Sequence, residues 1–203
     1  MSTTGTASYT DLDVLPPLVH AAVSLARTSG FAYSCLPAHG RLLQLLAGGV
    51  ADGVIGETGT GCGVGLGWLA EGASPGTRLL SIERDPERAA RAAALFAGRP
   101  NVSVLNGDWR ELREHGPFDL LALDGGGQAK GGDPAAEAAD PAQWLKPGGL
   151  LVLDDFSPLA HWPPLFQGEP DTARLHWLEH PRLRATQVNV TPGASTLLAT
   201  FLG

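Results

Sequence analysis

The chain has 203 residues, 43% of them hydrophobic and 17% charged, which fits one globular domain with its own core and excludes a disordered polymer. Its formal net charge of −7 argues against nucleic-acid binding as the main activity, and no apolar run approaches the roughly 20 residues that a membrane span needs. Cys35 and Cys62 make no disulfide framework and read as reduced, buried thiols; with no basic and then apolar leader in the first residues, the expected location is the cytoplasm.

Residues 1–10 are small and polar, as frayed termini are. Helical spacing runs from about Leu12 to Ala26, with Pro16 and Pro17 tolerable only near a start. YSCLPAHGRLLQLLAGG (33–49) predicts a turn and then a short helix that Gly48 and Gly49 stop. Strands and helices then alternate: strand 53–57, helix 64–73, strand 77–83, helix 85–98, strand 101–108, a short helical piece at 109–115, and strand 118–124. A helix over 134–145, broken at Pro141, leads to strand 148–156. The stretch 157–181 is rich in Pro, Trp and His, has no clear period, and reads as a lid or binding loop. Segments 182–190 and 195–202 flank TPGA and predict a hairpin.

This order predicts an α/β fold: a Rossmann-like, doubly wound, three-layer αβα arrangement around a mostly parallel seven-stranded sheet that ends in an antiparallel hairpin. Residues 1–203 read as a single domain, with 1–50 as an N-terminal helical cap. LLALD (120–124) and LLVLDD (150–155) are apolar and then abruptly acidic, as buried parallel strands are where their carboxyl ends meet a crevice.

GVIGETGTGCGVGLGWLAEG (53–72) places glycine at 59, 61, 63, 65 and 67, just where a strand gives way to a helix. Each glycine in a helix interior costs about 1 kcal/mol against alanine, so close approach of backbone to another group has to offset it. A dinucleotide fingerprint fails because Val64 stands at its sixth position, and a phosphate loop fails for want of a nearby lysine: the chain has Lys130 and Lys146 alone. Gly65 and Gly67 read as packing glycines between helix and sheet.

The pattern that fits is acid-x-Gly-x-Gly-x-Gly: Glu57, Gly59, Gly61 and Gly63. With Glu83, Asp108 and Asp124 ending the next three strands, and LKPGG (145–149) before the fifth, the chain resembles the class I S-adenosylmethionine (SAM)-dependent methyltransferases over roughly 33–203. The resemblance implies a cofactor site of Glu57, Gly59, Thr60, Gly61, Gly63, Glu83, Arg84, Asp108, Trp109 and Asp124. In that site Glu57 serves the cofactor's amino group, Glu83 its ribose and Asp108 its adenine.

YSCLPAHGRLL (33–43), IERDPERA (82–89) and GGLLVLDDF (148–156) narrow the resemblance to the catechol- and caffeoyl-type O-methyltransferases, through Ser34, Pro37, Gly40, Leu42 and Leu43. That likeness implies SAM and Mg²⁺, the metal on Asp124, Asp154 and Asp155, and a metal-bound hydroxyl attacking the sulfonium methyl. Two positions depart from it: Asp155 replaces an Asn, and Gly127 stands where the family has a lysine. Lys130 is the substitute base, so Asp124 and Lys130 form the expected catalytic pair, with His39 and His161 as other bases. Trp162 and Trp177 read either as cover for a flat substrate or as core. The expected partner is a small molecule, with no nucleic acid and no membrane, and a homodimer is left open. A metal-independent N- or C-methyltransferase of the same fold, and a SAM-binding domain without catalysis, are the alternatives.

Overall fold

The computed structural model describes residues 4–130 and 138–203. After a 3₁₀ turn at Thr6–Ser8, helices α1 (Pro17–Thr28) and α2 (Pro37–Gly48) each begin with proline in the first turn, where its missing N–H costs no hydrogen bond. The sheet is built from β1 (Val54–Thr58), β2 (Arg78–Glu83), β3 (Val102–Asn106), β4 (Phe118–Leu123), β5 (Leu145–Phe156), β8 (Leu183–Thr191) and β9 (Ala194–Phe201). Between them lie α3 (Val64–Gly72), α4 (Pro86–Leu95), a 3₁₀ helix at Trp109–His115 and α5 (Pro141–Trp144). The small β6–β7 hairpin (Leu165–Phe166, Glu169–Pro170) and α6 (Thr172–Leu178) follow β5.

Strand order is β3-β2-β1-β4-β5-β9-β8. The first five strands run parallel, and β9 inserts antiparallel between β5 and β8, so the predicted hairpin closes the sheet. The chain reverses direction of travel across the sheet between β1 and β4. That switch point opens a crevice at the carboxyl ends of the strands. Alternate strand residues face two apolar layers. Ile55, Leu79, Leu120 and Val152 join the layer holding Trp68. Ile82, Leu121, Leu151 and Leu153 join the layer holding Phe118, Trp144 and Trp177.

Helix α3 has no polar face. Val64, Leu66, Trp68, Leu69 and Ala70 are buried, because the helix is covered by the sheet on one side and by α1 and α2 on the other. Gly67 serves the outer contact rather than the sheet: a Cβ there would lie 3.4 Å from the backbone of Leu18 and Val19 in α1. Gly40 of α2 similarly leaves room for the Trp68 indole, whose Nε1 donates to Tyr9 Oη at 3.0 Å.

The predicted strands and helices fall within a few residues of the observed ones. Residues 134–137 of the helix expected at 134–145 lie outside the described residues; of the rest only Pro141–Trp144 is helical, because Ala138 bridges to Gln128, Asp140 caps α5 and Leu145 already starts β5. Within 157–181 the seven-residue α6 is too short to show a period, which is why the segment reads as irregular.

Candidate functional site

The loops after β1, β2, β3 and β4, together with residues 31–35, enclose a cavity of about 670 Å³. Its walls include Glu57, Gly59, Thr60, Gly61, Glu83, Arg84, Asp108, Trp109, Asp124 and Lys130, so the residues read as a cofactor site and the lysine read as a base share one cavity. Gly63 is not part of the wall. It starts α3 in the left-handed region, φ +87°, and packs on Phe96.

The glycine loop is dictated by crowding. Gly59 has φ +85°, and a Cβ on it would sit 2.4 Å from Gly125 Cα; a Cβ on Gly125 would sit 2.4 Å from Gly59 Cα. The β1 and β4 loops therefore touch backbone to backbone, held by Gly125 N–H donating to Thr58 O at 2.7 Å. Gly61 N–H donates to Glu83 Oε2 at 2.9 Å, and Arg88 donates to Glu83 Oε1 at 3.0 Å. Gly65 differs from its predicted role as a packing glycine against the sheet. A Cβ there would meet Glu57 Oε1 at 2.3 Å, so this glycine clears space for the acid.

Glu57 is 4% exposed, and Ser81 Oγ donates to its Oε2 at 2.5 Å. Burial pushes its carboxyl from the ordinary 4.5 up to about 8, with Asp124 and Glu83 adding repulsion against the Ser81 bond. Burial likewise lifts Asp124 to about 7, helped by the charges of Asp154 and Asp155. An empty cavity at neutral pH thus holds carboxyl groups that a cation would ionise. Asp108 does different work. It caps the 3₁₀ helix at Trp109–His115, accepting from Arg110 N–H at 3.0 Å, and it ion-pairs with the Arg110 guanidinium at 3.1 Å. The cap bond, ahead of the ion pair, lowers its pKa. The Trp109 ring lies against Gly126 and Gly127 and stacks on Trp144 at 5.6 Å.

The three acids read as metal ligands lie near enough for Asp154 and Asp155 to raise the Asp124 pKa, but they are held by different partners. Asp154 Oδ1 is 3.4 Å from both Thr196 Oγ1 and His39 Nδ1, and His39 Nδ1 is 2.8 Å from Thr196 Oγ1. Neither Asp154 nor Asp155 lines the cavity. Lys130 Nζ donates to the backbone oxygens of Asp154 and of Asp155, the latter at 3.1 Å, and lies 4.0 Å over the Phe156 ring. Among the described residues no group of three or more His, Cys, Asp or Glu is placed to hold a metal ion. A Mg²⁺ ion wants a near-octahedral set of oxygens, and with Lys130 Nζ held on the Asp154 and Asp155 carbonyls these groups do not offer one.

His39 is buried away from the cavity, where burial lowers its pKa against the pull of Asp154. His161 is exposed and also off the cavity. Trp177 is fully buried and donates to Gln128 O at 2.8 Å, a core role. Trp162, 57% exposed, lines a second groove with Leu159 and Val188. The wall that sequence reasoning assigned to 157–181 comes instead from Phe31, Tyr33, Ser34 and Cys35 in the α1–α2 connection. Arg88 and Arg110 were also missed. The aromatic cluster FAY (31–33) beside Ser34 was the available signal.

Residues 57–156 match a family described as a methyltransferase domain. Among solved structures, the O-methyltransferase from Bacillus cereus in complex with SAH superposes with TM-score 0.69, 22% identity and 98% of both chains covered. TomG from Streptomyces achromogenes, an O-methyltransferase of tomaymycin synthesis in complex with SAM, gives 0.70 and 21% over 100% of both chains. Cofactor-bound Rv0187 from MTB gives 0.69 and 25%, covering 99% of this chain and 98% of that one. A curated relative, an uncharacterized 37.1 kDa protein in transposon TN4556 of Streptomyces fradiae, is 34% identical over 100 residues, spanning 49% of this chain but 29% of its own length. Segment 57–156 thus matches the methyltransferase-domain family, and the whole chain shares the fold of the O-methyltransferase structures it superposes on.

Proposed function

We propose that the chain transfers the methyl group of SAM to an oxygen of a small hydroxylated molecule. One observation carries this reading: the glycine loop, buried Glu57, half-buried Asp124 and Lys130 share a single cavity at the switch point of the sheet. When bound, SAM supplies an electrophilic methyl carbon on a sulfonium. Glu57, ionised by the arriving positive charge, holds the cofactor's amino group. The bare backbone of residues 59–61 lets the methionine part lie close. Glu83 would meet the ribose of the bound cofactor, and Trp109 would lie along its adenine.

The acceptor enters beside Lys130 and the Phe31–Cys35 wall. Its hydroxyl oxygen would receive the methyl carbon of a bound SAM, which leaves as S-adenosylhomocysteine, and Asp124, on the wall with its pKa lifted to about 7, is the group that would take the hydroxyl proton. Alignment of the two reactants supplies much of the rate, up to about 7–11 kcal/mol in well-oriented cases. Metal assistance is left out of this reading because Asp124, Asp154 and Asp155 offer no ligand set. A cytoplasmic location and a small-molecule partner belong to the same proposal. Described residues include no helix long and apolar enough to cross a membrane.

The test is transfer of a labelled methyl group from SAM to a panel of phenols and aliphatic alcohols, alongside calorimetric binding of S-adenosylhomocysteine. A labelled ether and a bound product support the proposal. Failure to bind either form of the cofactor sinks it.

A further inference from the structure

Lys130 sits where two unusual backbone features meet. In a regular strand, successive carbonyls point to opposite sides. At the end of β5 they do not. The pairing with β9 shifts register between Leu153 and Phe156, and Asp155 has φ +64°. Both the Asp154 and the Asp155 carbonyl thereby accept from one Nζ. The residue before Lys130, Ala129, is buried at 2% exposure and also has φ +64°. Strained non-glycine residues persist where surrounding structure demands them, and one of these two precedes Lys130 while the other supplies a carbonyl to its Nζ. The Phe156 ring beneath Nζ is fixed in turn by the guanidinium of buried Arg174, 5.3 Å from its centroid.

We propose that Lys130 is the resident cation of this cavity, standing where a divalent metal would otherwise be needed, and that the acceptor therefore presents one hydroxyl oxygen rather than a vicinal pair. The proposal rests on the reading of the chain as an O-methyltransferase. Burial lowers the Lys130 pKa against the pull of Asp155, Asp154 and Asp124, so what marks the seat is its geometry: two carbonyls aimed at one point, which a side chain of this protein fills. A metal ion has several open positions and grips two neighbouring oxygens at once. An ammonium has three N–H groups, and two of them are engaged by the carbonyls. With two donors committed to carbonyls, the ammonium offers at most one to the acceptor, so a second vicinal hydroxyl gains nothing.

The decisive experiment is manganese electron paramagnetic resonance on the whole protein with S-adenosylhomocysteine. Wild type is expected to leave Mn²⁺ free up to about 1 mM, whereas Lys130→Ala, checked for folding by its melt and its S-adenosylhomocysteine affinity, binds it at least about tenfold more tightly. Wild-type binding near about 10 μM, or no difference between the two proteins, overturns the proposal. In parallel, matched monohydroxy and vicinal dihydroxy arenes are compared in EDTA and in Mg²⁺. Equal or better kcat/KM for the monohydroxy compound in EDTA supports it, and a Mg²⁺-dependent preference for the diol of about tenfold or more refutes it. Should no oxygen acceptor react, the O-methyltransferase reading fails, and the manganese result still decides the cation.

Discussion

The β1–β2 side of the cavity and the packing behind Lys130 at the end of β5, two halves of one region, are built by opposite means. Around β1 and β2 the chain removes side chains: Gly59 lets the β1 loop touch Gly125, Gly61 clears Phe31, and Gly65 makes room for buried Glu57. Around the end of β5 it adds them: Lys130 and Arg174 reach in from separate elements and share the Phe156 ring. One half stores electrostatic discomfort, because a lone carboxyl is costly to bury. The other half resolves it. Arg174, 2% exposed, donates to Asp171 at 2.9 Å, to Ser157 O at 3.0 Å and to Gln187 at 3.1 Å. The lesson is that the first half is shaped to be completed by a ligand, and the second is complete without one.

Substitutions should therefore separate the halves, with binding lost in one and stability in the other. The largest effect is expected at Glu57. Glu57→Gln removes the anion that meets the cofactor, and SAM affinity should fall about 100-fold in calorimetry, in line with a lost buried charge interaction of about 3 kcal/mol. The same variant should melt higher than wild type at pH 8. The folded-state pKa of Glu57 is raised from 4.5 to about 8, so the folded chain keeps a proton that the unfolded chain releases across that window. Stability from this group is present at low pH and declines as pH rises toward 8; glutamine has no such decline. Wild-type SAM affinity should climb as pH rises through 8, while that of the Glu57→Gln variant stays flat.

Next comes Arg174→Met. It strands Asp171 in the interior and should cost about 3–5 kcal/mol, read as a melt lowered by about 10 °C. Affinity for S-adenosylhomocysteine should hold within about threefold if the halves are energetically separate. The smallest effect is at Asp108. Removing this cap with Asp108→Ala should cost about 1 kcal/mol, a melt shift of about 3 °C, and should weaken SAM only modestly. A large loss of binding there would move Asp108 from its capping role into direct cofactor contact.

Legibility in the sequence followed the same division. The strand–loop–helix order and the spacing of Glu57, Gly59, Gly61, Glu83 and Asp124 could be read because each belongs to a local pattern. The seat for Lys130 could not. It depends on a bulge between Leu153 and Phe156 set by pairing with β9, about 40 residues further along the chain. Nothing local signals that two carbonyls will turn the same way. The carboxylates at 124, 154 and 155 read as ligands because they end neighbouring strands, but strand-end position does not fix where a side chain goes. Asp154 is engaged by Thr196 and His39 instead. Aromatic residues in 31–35 escaped notice because a wall formed by a connection between helices has no periodicity to detect.

The contact between Gly59 and Gly125 binds two positions 66 residues apart into one evolutionary unit. A methyl group on either would wedge the β1 and β4 loops apart, and once they are apart the second methyl finds room already made. Alanine at both sites should thus cost clearly less than the sum of the two single changes, so neither glycine is free to drift while its counterpart stays.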